Sequence, residues 1–330
     1  MENAARPGER IGEWLLVEAQ PGSGSFVMAT GIVAVGMELS GHGQIADALL
    51  VVCGLGWLVL ATAFLYRLAA RTDEWWHETT QLGALTAVAG STVLASALQT
   101  ILDWRLVPLL LWIVAATLWL VVISRTLSRL PPRAPQGLVF LLTVATQGVS
   151  LVASSLAVAY DADWLVYLAF ALWAVGIAFY LLIELHDFDH GRITTGAGDQ
   201  WIFAGAVAIT VLAGAKLLTA VRAQSLGGSA HDLRVAVLVI WIVALPMLLV
   251  LVWSEFAFPR VAYSALRWAT AFPVGMYAAC TLVASKALGF PWMDTYFADW
   301  WVWVGLGFWA IVCTGLVRRI GRLAFRGQPS

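Results

Sequence analysis

A helix needs about 20 mostly apolar residues to cross the hydrocarbon core of a bilayer. This chain supplies ten such runs, near residues 22–40, 45–66, 80–101, 106–124, 136–160, 164–184, 200–221, 234–254, 265–288 and 299–317. Charged or Gly/Pro-rich breaks separate them. No soluble core absorbs that much apolar surface, since 61% of the chain is hydrophobic and only 12% charged, against roughly 45–50% and about 25% in soluble domains. The expected fold class is an all-α polytopic membrane protein of ten transmembrane helices, with both termini on one side.

The Lys and Arg residues orient it. Short cytoplasmic loops hold the cationic excess, and with the N-terminus inside the cytoplasmic segments carry fourteen of the nineteen: Arg6, Arg10, Arg67, Arg71, Arg125, Arg129, Arg133, Arg192, Arg260, Arg267, Arg318, Arg319, Arg322 and Arg326. The outer segments carry four, Arg105, Arg222, Arg234 and Lys286, and Lys216 lies within a span. The reading is a multi-pass protein of the cell membrane with cytoplasmic termini. Residues 1–20 form a cytoplasmic segment whose Ile11, Trp14, Leu15 and Glu18 suit an interfacial helix, 21–318 the ten-helix unit, and 319–330 a short basic tail. A net charge of −1 offers nucleic acid no partner field.

An internal repeat runs through the spans. Every even span has a Trp followed two residues later by Val or Ile: Trp57/Val59, Trp112/Val114, Trp173/Val175, Trp241/Val243 and Trp309/Ile311. Every odd span has a mid-depth glycine instead, at Gly31, Gly90, Gly148, Gly214 and Gly275. Small residues let helices approach closely, while Trp suits an outer, lipid-facing or interlocking helix. The pattern predicts five helical hairpins in quasi-fivefold arrangement, odd helices inside, even helices outside, with a central pore.

Polar side chains at membrane depth turn toward an interior, a water path or a neighbouring helix. Thr143, Gln147, Ser150 and Ser154 share one face of span five. Thr92, Ser96 and Gln99 repeat the idea in span three, and Thr30 and Thr210 sit near mid-membrane in spans one and seven. Two readings stand for these hydroxyls: pore lining, with Gly31, Gly214 and Gly275, or helix-to-helix hydrogen bonding. Lys216 is roughly 8 Å from the middle of its span and either snorkels outward or attracts an anion. No Asp or Glu lies at mid-depth, so an uncharged path with cationic rims suits anions better than cations.

The histidines fall in loops or at helix ends, which argues against haem ligation. His186, Asp187, Asp189 and His190 have i, i+4 metal-ligand spacing, but a solvated cytoplasmic loop explains them. Cys53, Cys280 and Cys313 read as core residues. No Walker lysine, HExxH or Gly-x-Ser-x-Gly is present. The expectation is a non-enzyme with no cofactor and no metal.

Pro21 through Val33, PGSGSFVMATGIV, resembles the first-helix motif of the tellurite-resistance and C4-dicarboxylate transporter family, which includes plant guard-cell slow anion channels and fungal malate and sulfite carriers. In span nine Arg267 through Gly275, RWATAFPVG, resembles that family's Trp-x-x-x-Phe-Pro segment. The resemblance implies a homotrimer with one pore per protomer, and an aromatic gate at the motif position held here by Phe272, beside the helix-kinking Pro273. Read from the residues alone, a Phe before a helix proline is a packed side chain. Two rival functions remain open: a proton-coupled carrier for C4-dicarboxylate, tellurite or sulfite, and an anchor subunit of a redox or signalling complex.

Overall fold

The computed structural model describes residues 22–128, 136–186, 200–226, 228, 230–260 and 263–325. The regular structure among them is helical throughout. Ten long helices carry the architecture: α1 Gly24–Leu39, α2 Gly43–Ala70, α3 Leu85–Leu102, α4 Leu106–Ser128, α5 Leu141–Tyr160, α6 Asp163–His186, α7 Gln200–Ala223, α8 Ala230–Ala257, α9 Trp268–Leu288 and α10 Asp299–Phe325. Nine are long and apolar enough to cross a membrane, and α1, with 16 residues, is a shorter apolar helix. The helix α10 continues to Phe325, past the start of the expected tail at residue 319. The candidate interfacial helix with Ile11, Trp14, Leu15 and Glu18 lies outside the described residues, as do Asp187, Asp189, His190 and the His186 side chain.

The odd helices pack in cyclic order, α1 on α3, α3 on α5, α5 on α7, α7 on α9, and α9 back on α1. Each even helix crosses the seam between its hairpin partner and the next odd helix. Thus α2 touches α1 and α3, α4 touches α3 and α5, α6 touches α5 and α7, α8 touches α7 and α9, and α10 touches α9 and α1. Burial follows the same division. Between 72% and 94% of the apolar stretch is buried in the spans of α3, α5, α7 and α9, against 22% to 33% in the five even helices. In α1, residues 27–37 are buried without interruption.

Small side chains allow this close inner ring. A Cβ on Gly24 would stand 2.4 Å from the Thr86 carbonyl oxygen, and one on Gly275 would stand 2.8 Å from Val33 Cγ2. The outer faces carry Leu58, Ile113, Leu185, Leu249 and Ile311, all exposed and suited to lipid.

The repeated tryptophans face inward and interlock. Each donates its indole N–H to the next odd helix: Trp57 to Ser91 Oγ at 2.9 Å, Trp112 to Val149 O at 3.0 Å, Trp173 to Thr210 O at 3.0 Å, Trp241 to Thr281 Oγ1 at 3.0 Å and Trp309 to Thr30 Oγ1 at 2.9 Å. Trp119 adds a bond to Thr146 Oγ1 at 2.9 Å. Four of the accepting hydroxyls, on Thr30, Ser91, Thr146 and Thr281, also donate to the carbonyl four residues back in their own helix. Donor and acceptor are both satisfied, which a water-free interior requires. An indole carries a large apolar body and one donor, so one residue type can both fill the outer seam and fasten it.

The odd helices also end alike. Gly41, Asp103, Asp161, Ser225 and Gly289 all have positive φ, between 50° and 84°. After four of them the following N–H reaches five residues back, as His42 to Met37, Ala162 to Ala157, Leu226 to Val221 and Phe290 to Ser285. Such reversals satisfy the last carbonyls of a helix. Arginines on this side cap further carbonyls. Arg105 donates to Ala159 O, Arg222 to Ala287 O and Arg234 to Leu288 O, and the Gln224 amide donates to Ala157 O. Of the four cations expected in the outer segments, Arg105, Arg222 and Arg234 are therefore bound to helix ends.

Candidate functional site

The helix α9 separates an outward from an inward face. Tyr277 donates its hydroxyl to Ala244 O of α8 at 2.9 Å, and Thr281 accepts from Trp241 of α8, so these two mark the outward side. Phe272, five residues before Tyr277, lies about 140° around the helix, toward the interior of the ring. It is 3% exposed. Its neighbour across the seam is Gly205 of α7, where a Cβ would stand 2.8 Å from Pro273 Cγ and 3.6 Å from Phe272 Cδ1. The glycine provides the flat backbone on which the Phe-Pro pair rests.

Lys216 belongs to the same interior. Gly214 meets Val237 of α8 and Trp173 of α6, which defines the outward face of α7. Two residues on, Lys216 is turned about 200° away. It shares its face with Gly205, eleven residues earlier and roughly 16 Å nearer the Phe272 end. Lys286 of α9 lies near enough for the two like charges to interact. Lys286 in turn falls on the Phe272 face of α9, two helix repeats of seven residues further out.

The other residues singled out from sequence divide clearly. Gln147 donates from Nε2 to Trp173 O at 3.1 Å and Ser150 donates to Ala169 O at 2.7 Å, both on α6. Thr143 shares that face and is fully buried. Within the span-five stripe, Gln147 and Ser150 bond the hairpin partner, Ser154 donates to Ser150 O of its own helix, and the buried Thr143 hydroxyl has no hydrogen-bond partner. Thr30 and Thr210 meet tryptophans of the outer layer, through the Thr30 hydroxyl and the Thr210 carbonyl. Thr92 bonds Ala89 O and fills the space left by Gly148 of α5. Gly31 lies against Val93 and Cys53, and Gly275 against Val33 and Ile32. Ser96 lies about 140° around α3 from Ser91, which meets Trp57. Of the named hydroxyls and glycines, Ser96 has the clearest inward placement.

A model of one protein family, described as the SLAC1 voltage-dependent anion channel family, matches residues 18–317. The chain belongs to the SLAC1 family. No curated protein matches it. Membership makes the chain an anion channel or transporter of a membrane. SLAC1-family function is transport rather than catalysis, with a small anion as its cargo and lipid as its surroundings.

At the start of α9, beside Phe272, lies a feature of this SLAC1-family chain that no sequence pattern pointed to. Glu255, in the last turn of α8, accepts from Arg260 at 2.7 Å, from Arg267 in a short ion pair, and from Trp201 Nε1 of α7 at 3.2 Å. Arg260 also donates to Thr270 Oγ1 at 3.0 Å. The side chains of Glu255, Arg260 and Arg267 are 20%, 16% and 13% exposed. The partners are 5 and 12 residues apart in sequence, so no helical spacing announces them. A separate cavity of about 310 Å³ opens to the side of the bundle between α2 and α4, with Trp57, Phe64, Val114 and Leu118 in its wall.

Proposed function

We propose that the protein passes small anions passively through the axis of the inner five-helix ring, one pathway per protomer of a homotrimer in the cell membrane, with both termini cytoplasmic. Phe272 closes the pathway in this conformation. The observation carrying this reading is the position of Phe272: inward on α9, buried, and seated on Gly205 beside the helix proline. Ser96 and Lys216 are the pathway residues best placed to meet a partly dehydrated anion.

Two further features support an anion over a cation. All five inner helices run in the same direction, so their N-termini, each with a partial positive charge, gather at the cytoplasmic mouth. The only basic residues of α1, α3, α5, α7 and α9 are Lys216, Arg222 and Lys286, and their only acid is Glu38 at the end of α1. A proton-coupled carrier of C4-dicarboxylate, tellurite or sulfite would use a titratable acid at mid-depth, and these helices hold none there.

The test is anion flux in proteoliposomes with wild type and Phe272→Ala. A large rise in the folded variant is expected. Unchanged or lost flux would overturn the gate.

A further inference from the structure

We propose that Glu255 is a positioning residue for the Phe272 gate: it clasps the first turn of α9 from the end of α8 and so holds the aromatic ring in the closed pathway. This rests on the reading of Phe272 as the gate.

The first turn of α9 needs such a clasp. Pro273 has no N–H, so the carbonyl of Ala269 loses its intrahelical partner, and residues 268–272 are tied to the rest of the helix by one bond fewer. Phe272 is the last residue of that turn. Trp268 at its start packs edge-on against Phe26 of α1 and donates to the Tyr263 hydroxyl, and the Glu255 cluster supplies the ionic restraint from outside. The carboxylate gathers Arg267, immediately before the helix, and Arg260, which bonds Thr270 inside the turn. Trp201 fixes the same carboxylate to the start of α7, the helix on which Phe272 rests through Gly205. One acid therefore links the ends of three helices around the gate.

The arrangement depends on the negative charge. With the acid neutralised, two guanidiniums remain close together with little water around them, and each loses its opposite charge. They separate, the Arg260 bond to Thr270 is pulled, and the weakly tied turn moves with Phe272 on it. Thr270 lies on the same face as Tyr277, seven residues on, so the pull acts from outside the ring and not by blocking the path.

Single-channel recording in planar bilayers distinguishes this role from general support. Glu255→Gln is expected to raise open probability several-fold while leaving unitary conductance unchanged, and Glu255→Asp to restore wild-type behaviour. Phe272→Ala raises unitary conductance, and Glu255→Gln adds nothing on that background. Thr270→Val, which leaves every ion pair intact, gives a smaller rise and keeps the test available if Glu255→Gln fails to assemble. Wild-type open probability in both folded Glu255→Gln and Thr270→Val, beside an open Phe272→Ala, overturns the clasp alone. A silent Phe272→Ala overturns the gate itself, and with it the route by which Glu255 acts. Equal multiplication of open probability by Glu255→Gln with and without Phe272 also overturns the proposal.

Discussion

The indole N–H of Trp309 donates to the hydroxyl of Thr30 at 2.9 Å across 279 residues of sequence. This bond joins the last helix to the first and closes a series of five equivalent Trp contacts around the bundle. Without it the outer layer would be a chain of clasps with one end open.

Trp309→Phe keeps most of the apolar ring and removes the donor. A net hydrogen bond contributes about 1 kcal/mol, and within membrane bundles about 0.6 kcal/mol on average. Thermal unfolding in detergent should show a modest loss for Trp309→Phe and for Thr30→Val. The double variant should lose clearly less than the sum of the two, because both remove one interaction. Additive losses would show that the bond contributes nothing.

Gly24→Ala places a methyl 2.4 Å from the Thr86 carbonyl oxygen, and that oxygen belongs to the backbone of a neighbouring segment. Overpacking of this kind costs about 1–3 kcal/mol. A lowered Tm is expected, whereas Gly307→Ala, where an added Cβ meets nothing within 4 Å, should leave Tm near that of wild type.

Arg234 and Lys216 should behave differently from one another. Arg234→Gln removes the donor to the last carbonyl of α9 and is expected to lower Tm by an amount corresponding to about 1–3 kcal/mol, with single-channel conductance unchanged. Lys216→Gln is expected to lower conductance several-fold with little change in Tm. The reverse pattern would mean that Arg234 meets the permeating anion and Lys216 does not.

The hairpin repeat was legible because it is written in residue type. Glycine in the odd spans and Trp in the even spans determine which helices can pack closely, and Trp57, Trp112, Trp173, Trp241 and Trp309 all proved to make the same contact. The direction of the span-five stripe was not legible. Periodicity places Thr143, Gln147 and Ser150 on one face, but the face opposite α6 is equally regular in sequence, and only the position of α6 shows where Gln147 and Ser150 bond.

The sequence by itself determined ten apolar helices, their alternation of small and bulky residues, and the family motifs in the first and ninth spans, because hydropathy, side-chain volume and local motif are properties of neighbouring residues. Tertiary structure decided which face of each helix points inward and which charges are already bound. Arg105, Arg222 and Arg234 read as a cationic rim until the helix ends that they cap are in place. The Glu255 clasp brings together residues from α7, α8 and the approach to α9. Its bonds form across helix ends whose separation in space no sequence interval encodes.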